Sequence, residues 1–356
     1  MADILVLNAG SSSVKFAVFD GDLNETLSGA STDIGGGGEL KIGGEARAVE
    51  LRDHEAALRG ILDALAEKGI ALASLAAAGH RVVHGGQLFS APSRITPDVE
   101  AGIEACCPLA PLHNPNALAA IRALASIAPG LPQSASFDTA FHAANPPIAR
   151  RYAIASELHE AGLQRYGFHG LSYASLVETL RDDLPKRLLA LHLGNGASLC
   201  AILDGKSMAT SMGYSPLDGL TMGSRCGAID PAVALRLARE HGVDGAEQLL
   251  NAKSGLLALA GDNDMAALLG RDDEAARFAV DHFCYWTARH AGSAIVAMGG
   301  VDAYAFTGGI GENAEAVRTR ILEHLATFGD KPVHVVSARE ERQIARDALS
   351  VLQGGS

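Results

Sequence analysis

Residues 7–21 read LNAGSSSVKFAVFDG and residues 191–205 read LHLGNGASLCAILDG, so the chain contains the same pattern twice. The two stretches align without a gap. Each consists of an apolar strand, a turn of Gly, Ser or Asn, and a second apolar strand that ends in Asp-Gly. This pattern predicts a β-hairpin with small residues at its tip. The repeat therefore predicts two related α/β domains, with a ligand in the cleft between the two glycine-rich tips, because domain interfaces are a preferred place for ligand sites.

The rest of the chain alternates between helix-like and strand-like patterns. We expect the domains to be residues 1–146, with about 341–356 packing back on them, and residues 147–340. Asn114 or Asn116 is a candidate helix cap beside Pro115, and Pro231 behind Asp230 should start a helix. The predicted elements are helices over 54–68, 116–126, 231–241, 273–298 and 312–325, a strand over 303–307, and a flexible turn over 35–44.

Composition narrows the class of protein. Apolar residues make up 48% of the 356 residues, which is enough for sizeable cores and excludes global disorder. The formal net charge of −12 argues against broad nucleic-acid binding, because phosphate backbones need clustered Lys and Arg. An anionic ligand would need a local basic pocket.

Neither a disulfide framework nor a membrane segment is expected. The five cysteines are odd in number and include no CxxC pair, which favours a reducing compartment. No apolar run approaches 18 residues, and the first residues lack the basic region of a signal peptide. The 13 histidines show no HxH or HExxH spacing, so a histidine metal cluster is not expected. We expect a cytoplasmic protein with no membrane and no nucleic-acid partner.

Three glycine-rich segments are candidate phosphate sites. The first tip, residues 8–15 (NAGSSSVK), offers hydroxyls, backbone N–H groups and one Lys, a concave trap for an anion. The second tip, residues 192–198 (HLGNGAS), offers backbone donors without charge. The third, residues 306–314 (FTGGIGENA), follows a strand and opens a helix, whose N-terminus attracts anions. No GxxxxGK[ST] sequence occurs, so none of them is a Walker-type loop.

The third segment also leaves an alternative open. Gly309, Gly311 and Ala314 match GxGxxA, as in dinucleotide-binding proteins. Such a site expects an acid at the end of the next strand, whereas Asp330 stands before the apolar run 333–336. A dehydrogenase is therefore kept only as an alternative.

Four further side chains have sequence neighbours that favour a catalytic or ligand-binding role. Arg81 and Arg225 lie between glycines, which let the backbone approach a ligand while the guanidinium reaches in. Asp138 stands between aromatic residues, where desolvation would make it a base or a metal ligand. His169 has glycines nearby on both sides. A structural role is the alternative for each, but together they suit phosphoryl transfer, in which positioning and charge neutralisation supply most of the catalysis.

Eight strings, in order along nearly the whole chain, resemble the acetate/propionate/butyrate kinase family, and acetate kinases in particular. They are NAGSSSVKF (8–16), GHRVVHGG (79–86), APLHNPNAL (110–118), FDTAFH (137–142), RYGFHG (165–170), HLGNGASL (192–199), SMGYSPLDGLTMGSR (211–225) and FTGGIGEN (306–313). The resemblance implies the duplicated two-domain α/β fold of actin, sugar kinases and Hsp70-type ATPases, with the active site in the interdomain cleft. It implies reversible phosphorylation of acetate by ATP, giving acetyl phosphate and ADP, with Mg²⁺ (or Mn²⁺ as the alternative ion) and in a homodimer.

The resemblance also implies roles for individual residues. Arg81 would bind the acetate carboxylate, Arg225 the transferring phosphoryl group and Lys15 the phosphates, while His169 would stabilise the transition state and Asp138 would be the active-site acid. Asn8 and Glu340 would lie on the Mg²⁺ side. The methyl pocket would be formed by Val83, Leu112, Phe168 and Pro216. The nucleotide would be held by His192, Leu193, Gly194, Asn195, Gly196, Asp264, Met265, Ala266, Gly309, Ile310, Gly311, Glu312 and Asn313.

Three positions depart from the family pattern, and one of them is Ala228, which stands where an Asp is usual. Ala266 stands where an Arg is usual, which alters the nucleotide side, and Arg339 stands where a small polar residue usually precedes the Glu pair. The alternatives to an acetate kinase are a propionate or butyrate kinase of the same family, a dehydrogenase, and a non-catalytic ATP-binding protein of the same fold.

Overall fold

A computed structural model describes residues 3–354, whose contacts divide the chain into two units. One consists of the residues up to Phe141 together with those from Arg339 onward, and the other is His142–Ala338. The domain boundaries expected from sequence, at 146/147 and 340/341, stay predictions.

Within residues 3–141, the first unit forms an eight-stranded sheet in the order β5-β4-β3-β2-β1-β6-β8-β7. Its elements are β1 Asp3–Ala9, β2 Ser13–Phe19, β3 Glu25–Thr32, β4 Glu39–Ile42, β5 Glu45–Ala48, α1 His54–Glu67, β6 Leu75–Val82, β7 Ser93–Arg94, α2 Pro97–Ala105, α3 Asn114–Ile127 and β8 Gln133–Phe137, with short 3₁₀ turns at Leu72–Ser74 and Cys107–Leu109.

Apolar residues place α1 and α3 on one face of this sheet. The side chain of Asp53 caps α1 by accepting a hydrogen bond from the Ala56 N–H. Leu58 and Ile61 recur at helical spacing and are fully buried in one cluster with Leu5 and Leu124. Because burying one such aliphatic side chain stabilises the fold by about 1.5–3 kcal/mol, this stripe fixes the helix against the sheet.

Within His142–Ala338, the second unit has a five-stranded sheet in the order β11-β10-β9-β12-β13. Its elements are α4 Pro147–Arg150, α5 Ser156–Glu160, α6 Gly170–Thr179, β9 Arg187–Leu193, β10 Ala197–Leu203, β11 Lys206–Thr210, α7 Pro231–Ala252, α8 Gly255–Ala260, α9 Met265–Leu269, α10 Glu274–Ala297, β12 Ala303–Thr307, α11 Gly308–Asn313, α12 Glu315–His324 and β13 Val333–Val335, with 3₁₀ turns at Ala140–Ala144 (its start in the first unit) and Ala326–Phe328.

The two sheets share one topology. In the first, β1 pairs antiparallel with β2 and β2 with β3, while β1 pairs parallel with β6 and β6 with β8. In the second, β9, β10, β11, β12 and β13 repeat this arrangement strand for strand. The prediction of two related α/β domains, each opening with a hairpin, is therefore confirmed.

The two hairpins differ by one residue at the tip. Ala9 pairs with Val14 in the first hairpin, which leaves four residues in the turn, whereas Leu193 pairs with Ala197 in the second, which leaves three. The gapless alignment of the two stretches therefore does not hold for the strand pairing.

The last helix, α13 Glu340–Leu352, belongs to the first unit and packs on β6, β8 and β1. It lies close to the sheet at Gly79, where an added Cβ would lie 2.7 Å from Ile344 Cγ2. Glycine is therefore required in β6 for the helix to lie this close to the sheet.

Four local predictions need correction. The segment 35–44 is not only a turn, because it contains β4, where alternating Leu40 and Ile42 are buried. Helix α3 begins at Asn114 with His113 at the cap position, so Asn114 is not its cap. The helix predicted over 231–241 continues past a kink at Gly242, whose φ is 74°, to Ala252.

The fourth correction is at the third glycine segment. A helix was expected from residue 312, but the glycines themselves form α11, and α12 follows after a break at Ala314.

The sheet of the second unit overturns the dinucleotide-binding alternative. A Rossmann domain has a mostly parallel sheet, whereas β10 and β11 are antiparallel to their neighbours. Among residues 3–354, no helix is both long and apolar enough to cross a membrane.

Candidate active site

Asn8 and Lys15 are brought together at the first tip. They are direct cross-strand partners in the β1–β2 hairpin, and such partners project from the same face. The turn between these strands is closed by the Gly10 N–H, which donates to the Ser13 carbonyl at 2.7 Å. An amide and an ammonium group therefore stand side by side next to a small tip.

Arg81 and Asp138 form a bidentate ion pair. Arg81 Nε lies 3.1 Å from Asp138 Oδ1 and Nη2 lies 2.7 Å from Oδ2, and the carboxylate is only 3% exposed. The pair forms because β6 and β8 run parallel and end together, with the Asp138 N–H bonded to the Val82 carbonyl. Two of the five guanidinium N–H donors are used in this way, so three can serve an anionic ligand.

Glu340, the first residue of α13, lies beside this pair, with Oε2 at 3.8 Å from Arg81 Nη2. Burial raises the pKa of Glu340 against the lowering effect of Arg81, and the nearby charge of Asp138 raises it further. Burial alone would lower the pKa of Arg81, but the two carboxylates outweigh that effect and raise it. The cluster thus holds more negative than positive charge around one guanidinium.

This excess of hard oxygen donors fits Mg²⁺. The ion prefers carboxylate and amide oxygens, is commonly held by one or two carboxylates, and keeps several waters. Asn8 offers an amide and Glu340 a desolvated carboxylate that a cation would stabilise. Among the described residues, no group of three or more His, Cys, Asp or Glu side chains could hold a metal. These residues fit an ion held jointly by protein, water and phosphate.

Two hydrogen bonds that the sequence did not predict connect two of the predicted segments. The amide of Asn114 accepts from the His84 N–H at 3.1 Å and donates to the His84 carbonyl at 2.9 Å. This joins the loop that carries Val83 to the loop that carries Leu112, and it explains why Asn114 does not cap α3. Asn114 is fully buried, and only its place before Pro115 in the sequence marked it.

The predicted methyl pocket draws on both units. Val83 is half-buried and Leu112 is 70% exposed in the first, while Phe168 is buried and Pro216 half-buried in the second. The pocket therefore stays a prediction.

The nucleotide residues predicted in the second unit mostly surround one cavity of about 520 Å³. Ligand pockets typically have volumes of about 300–1,000 Å³. The cavity is lined by the predicted Gly194, Asn195, Asp264, Met265, Ala266, Gly309, Ile310 and Asn313, by Ala314 of the third glycine-rich segment, and by Asn263 and Leu269, which the sequence did not predict.

The remaining predicted nucleotide residues do not line this cavity. They are His192, Leu193, Gly196, Gly311 and Glu312, while Lys15 belongs to the other unit. The carboxylate of Glu312 is already engaged, since it accepts from the Gly308 N–H at 3.0 Å and from the Ala338 N–H at 2.9 Å. Its role is to hold the start of α11 in place.

Two glycines near the cavity residues are closely packed. A Cβ on Gly223 would collide with Asn195 Oδ1, and Gly308, with φ of 79°, lies against the Leu193 carbonyl. At the second tip, neither Asn195 nor Gly196 is among the residues with positive φ in the described chain, so the turn does not use the left-handed conformation that Asn-Gly tolerates. Close packing explains Gly223, whereas Gly308 is explained by both close packing and its left-handed backbone conformation.

His169 and Arg225 converge on Gly196. A Cβ built there would lie 3.4 Å from His169 Nε2 and 3.8 Å from Arg225 Nη1. Arg225 donates to the Pro216 carbonyl at 2.9 Å, and among residues 3–354 no carboxylate lies within ion-pair distance of it. Burial lowers the pKa of Arg225. A partly desolvated guanidinium with neutral partners is a site that an anion would stabilise.

The second unit therefore offers one continuous arrangement of anion-binding groups. Residues Gly194 and Asn195 of the tip line the cavity, and the next residue, Gly196, faces the histidine and the arginine.

Comparison with known proteins identifies the family of the chain. The sequence model of the acetokinase family matches residues 3–349. An acetate kinase from Deinococcus radiodurans is 45% identical over 345 residues, covering 91% of this chain and 86% of the relative. An acetate kinase from Rhodopseudomonas palustris is 44% identical over 350 residues, covering 92% of this chain and 88% of the relative.

Solved structures confirm the predicted fold class. A propionate kinase from Francisella tularensis superposes with a TM-score of 0.93 at 36% identity, covering 98% of this chain and 99% of the other. An acetate kinase from Porphyromonas gingivalis gives 0.89 at 34% identity, covering 99% and 100%. With the family pattern continuous from the first hairpin to the last helix, the chain belongs to the acetokinase family.

Proposed function

We propose that this protein transfers the γ-phosphoryl group of ATP to acetate, giving acetyl phosphate and ADP, and catalyses the reverse reaction. A carboxylate oxygen forms a bond to the γ-phosphorus while the bond to the bridging oxygen of ADP breaks. The observation that carries the proposal is the arrangement in the second unit, where a 520 Å³ cavity is followed along one tip by His169 and Arg225. Phosphoryl transfer needs positioning and charge neutralisation more than covalent chemistry.

In this proposal the second unit binds the nucleotide. The cavity, with residues 264–266 and 309–313, takes the nucleoside, and residues 192–196 take the phosphates. Arg225 offsets charge on the transferring group, and His169 donates to one of its oxygens. Each such donor is effective because it is held in place before the reaction and is partly removed from solvent.

The first unit supplies the groups for acetate and for the metal. Arg81, held by Asp138, offers its remaining N–H donors to the acetate carboxylate. Asp138 orients Arg81 by accepting two hydrogen bonds from its guanidinium. Asn8 and Glu340 would hold Mg²⁺, with Mn²⁺ as the alternative, and Lys15 would contact phosphate. The metal would neutralise phosphate charge.

Propionate is an alternative acyl substrate, and one comparison supports it. The propionate kinase from Francisella tularensis is similar over nearly the whole chain. Val83 is β-branched and stiff, and with Leu112 and Phe168 we expect it to leave room for one methyl group. Each further methylene should then be discriminated by about 1–3 kcal/mol, so propionate should be a poor substrate rather than an inert one.

The test is an ATP-dependent assay in which the acyl phosphate is trapped by hydroxylamine, with acetate, propionate and butyrate in parallel. We expect signal with acetate, dependent on added Mg²⁺ and nearly lost in Arg225→Ala. No signal with any of the acids would refute the proposal. ATP binding without turnover would instead favour a non-catalytic ATP-binding protein.

We further propose that the protein acts in the cytoplasm as a homodimer. Size-exclusion chromatography with light scattering should give twice the mass of the chain, and a monomer mass at micromolar concentration would contradict the dimer.

A further inference from the structure

His169 and His192 stack in the second unit, and each is held by a serine from the segment of the other. The ring centroids are 4.2 Å apart with planes inclined by 27°. His169, which precedes α6, has Nδ1 at 2.9 Å from the hydroxyl of Ser198, and Ser198 is the strand partner of His192. His192 has Nδ1 at 2.8 Å from the hydroxyl of Ser172, in the first turn of α6. The pair therefore locks α6 against the β9–β10 hairpin.

A second hydroxyl group also forms a hydrogen bond with Ser198. The Tyr173 hydroxyl lies 2.6 Å from Ser198 Oγ, and both residues are fully buried. The phenol is the more acidic of the two hydroxyls and hence the better donor. If Tyr173 donates to Ser198, the single hydrogen of Ser198 is directed to Nδ1 of His169. An imidazole that accepts at Nδ1 carries its hydrogen on Nε2.

The backbone at His169 indicates that this placement is enforced. Its φ is 58°, in the left-handed region, and no side-chain hydrogen bond caps α6 there. A non-glycine residue in this region costs about 1–3 kcal/mol and persists only where the surroundings determine it. In this backbone conformation, Nε2 of His169 lies at the tip, beside Gly196.

We infer that Ser198 and Tyr173 are positioning residues that fix the Nε2–H tautomer of His169, so that Nε2 can donate to the transferring phosphoryl group. The inference rests on the proposed function for the role of His169, but the tautomer can be measured without it. Residues that orient a metal-bound histidine typically contribute about 10- to 100-fold to activity, and we expect the same range here.

The experiment is a double-mutant cycle between Ser198→Ala and His169→Ala, read as kcat for acetyl phosphate formation. We expect Ser198→Ala to lower kcat by about 10- to 100-fold with little change in KM for ATP, and to have almost no further effect in the His169→Ala background. Tyr173→Phe should lower kcat less, because Ser198 keeps its own hydroxyl. Coupling of this kind is what a cycle isolates when one residue acts through another.

Ser175→Ala is the matched control, since Ser175 is a buried serine of α6 outside this network. It should leave kcat unchanged. Equal losses in Ser175→Ala and Ser198→Ala, or a Ser198→Ala effect that persists in full without His169, would overturn the inference by showing a merely structural role.

Nitrogen NMR of the histidine side chains gives the second readout. The His169 signal, identified by its loss in His169→Ala, should show an unprotonated Nδ1 in the parent protein and a change in Ser198→Ala. A protonated Nδ1 in the parent would refute the tautomer. If the parent made no acyl phosphate, the proposed function would fail while this measurement still decided the inference.

Discussion

Replacing Arg81 by alanine should damage both activity and stability, because its partner is buried. Asp138 accepts two bonds from Arg81, at 3.1 and 2.7 Å, and is only 3% exposed. Breaking a buried pair by removing one partner typically costs about 3–5 kcal/mol, because the remaining charge is left uncompensated. For a unit of this size, each kcal/mol lowers the melting temperature by about 2–4 °C, so the transition should fall by about 6–20 °C.

Calorimetry of Arg81→Ala, Asp138→Ala and the double variant separates the two effects. Arg81→Ala should melt well below the parent, while the double variant Arg81→Ala/Asp138→Ala should regain part of the loss, because the buried Asp138 carboxylate is gone although Glu340 still lacks the guanidinium. Activity should not return in the double variant, since the acetate carboxylate has lost its guanidinium, a loss of about 10²- to 10³-fold in kcat/KM. A melting temperature unchanged in Arg81→Ala would refute the reasoning, and so would a double variant less stable than either single one.

Four other changes have defined outcomes. Arg225→Ala should lower kcat by about 10²- to 10³-fold without lowering the melting temperature, since Arg225 has neutral partners; a marked loss of stability would indicate a structural role. Val83→Ala should shift the ratio of kcat/KM toward propionate, and an unchanged ratio would remove Val83 from the methyl pocket. Ala266→Arg should lower the KM for ATP and sharpen the choice of ATP over GTP, because Ala266 lines the cavity; if neither KM changes, the side chain does not reach the nucleotide. Burial raises the pKa of Asp347 from 3.8 to about 6, so its ionisation destabilises the folded state progressively as pH rises through this range. Asp347→Asn should therefore be more stable than the parent by about 3 kcal/mol at pH 8, with a gain that vanishes near pH ~4; urea unfolding at both pH values measures this, and a pH-independent difference would contradict it.

Much of the fold was predictable because local patterns of apolar and turn residues in the sequence determine it. The repeated strand–turn–strand stretches specify two hairpins, since apolar runs bounded by small turn residues allow few other structures. They could not specify tip length, because a one-residue difference in pairing leaves the sequence alignment gapless. The strand in the glycine-rich segment 35–44 was not predicted, because the four residues of β4 are too few to show a periodic pattern.

The candidate site likewise has residues that the sequence predicted and contacts that only the tertiary structure showed. Sequence alone marked the residues that carry unusual chemistry, such as Arg81, Asp138 and His169, because their neighbours are glycines and aromatics. Only the tertiary structure showed that Arg81 and Asp138 form one bidentate pair, that Asn114 clamps the His84 loop, and that Ser198 directs His169. These contacts join residues 29 to 57 positions apart. Hydrogen-bond partners at such separations are chosen by strand register and helix packing, which no local pattern encodes.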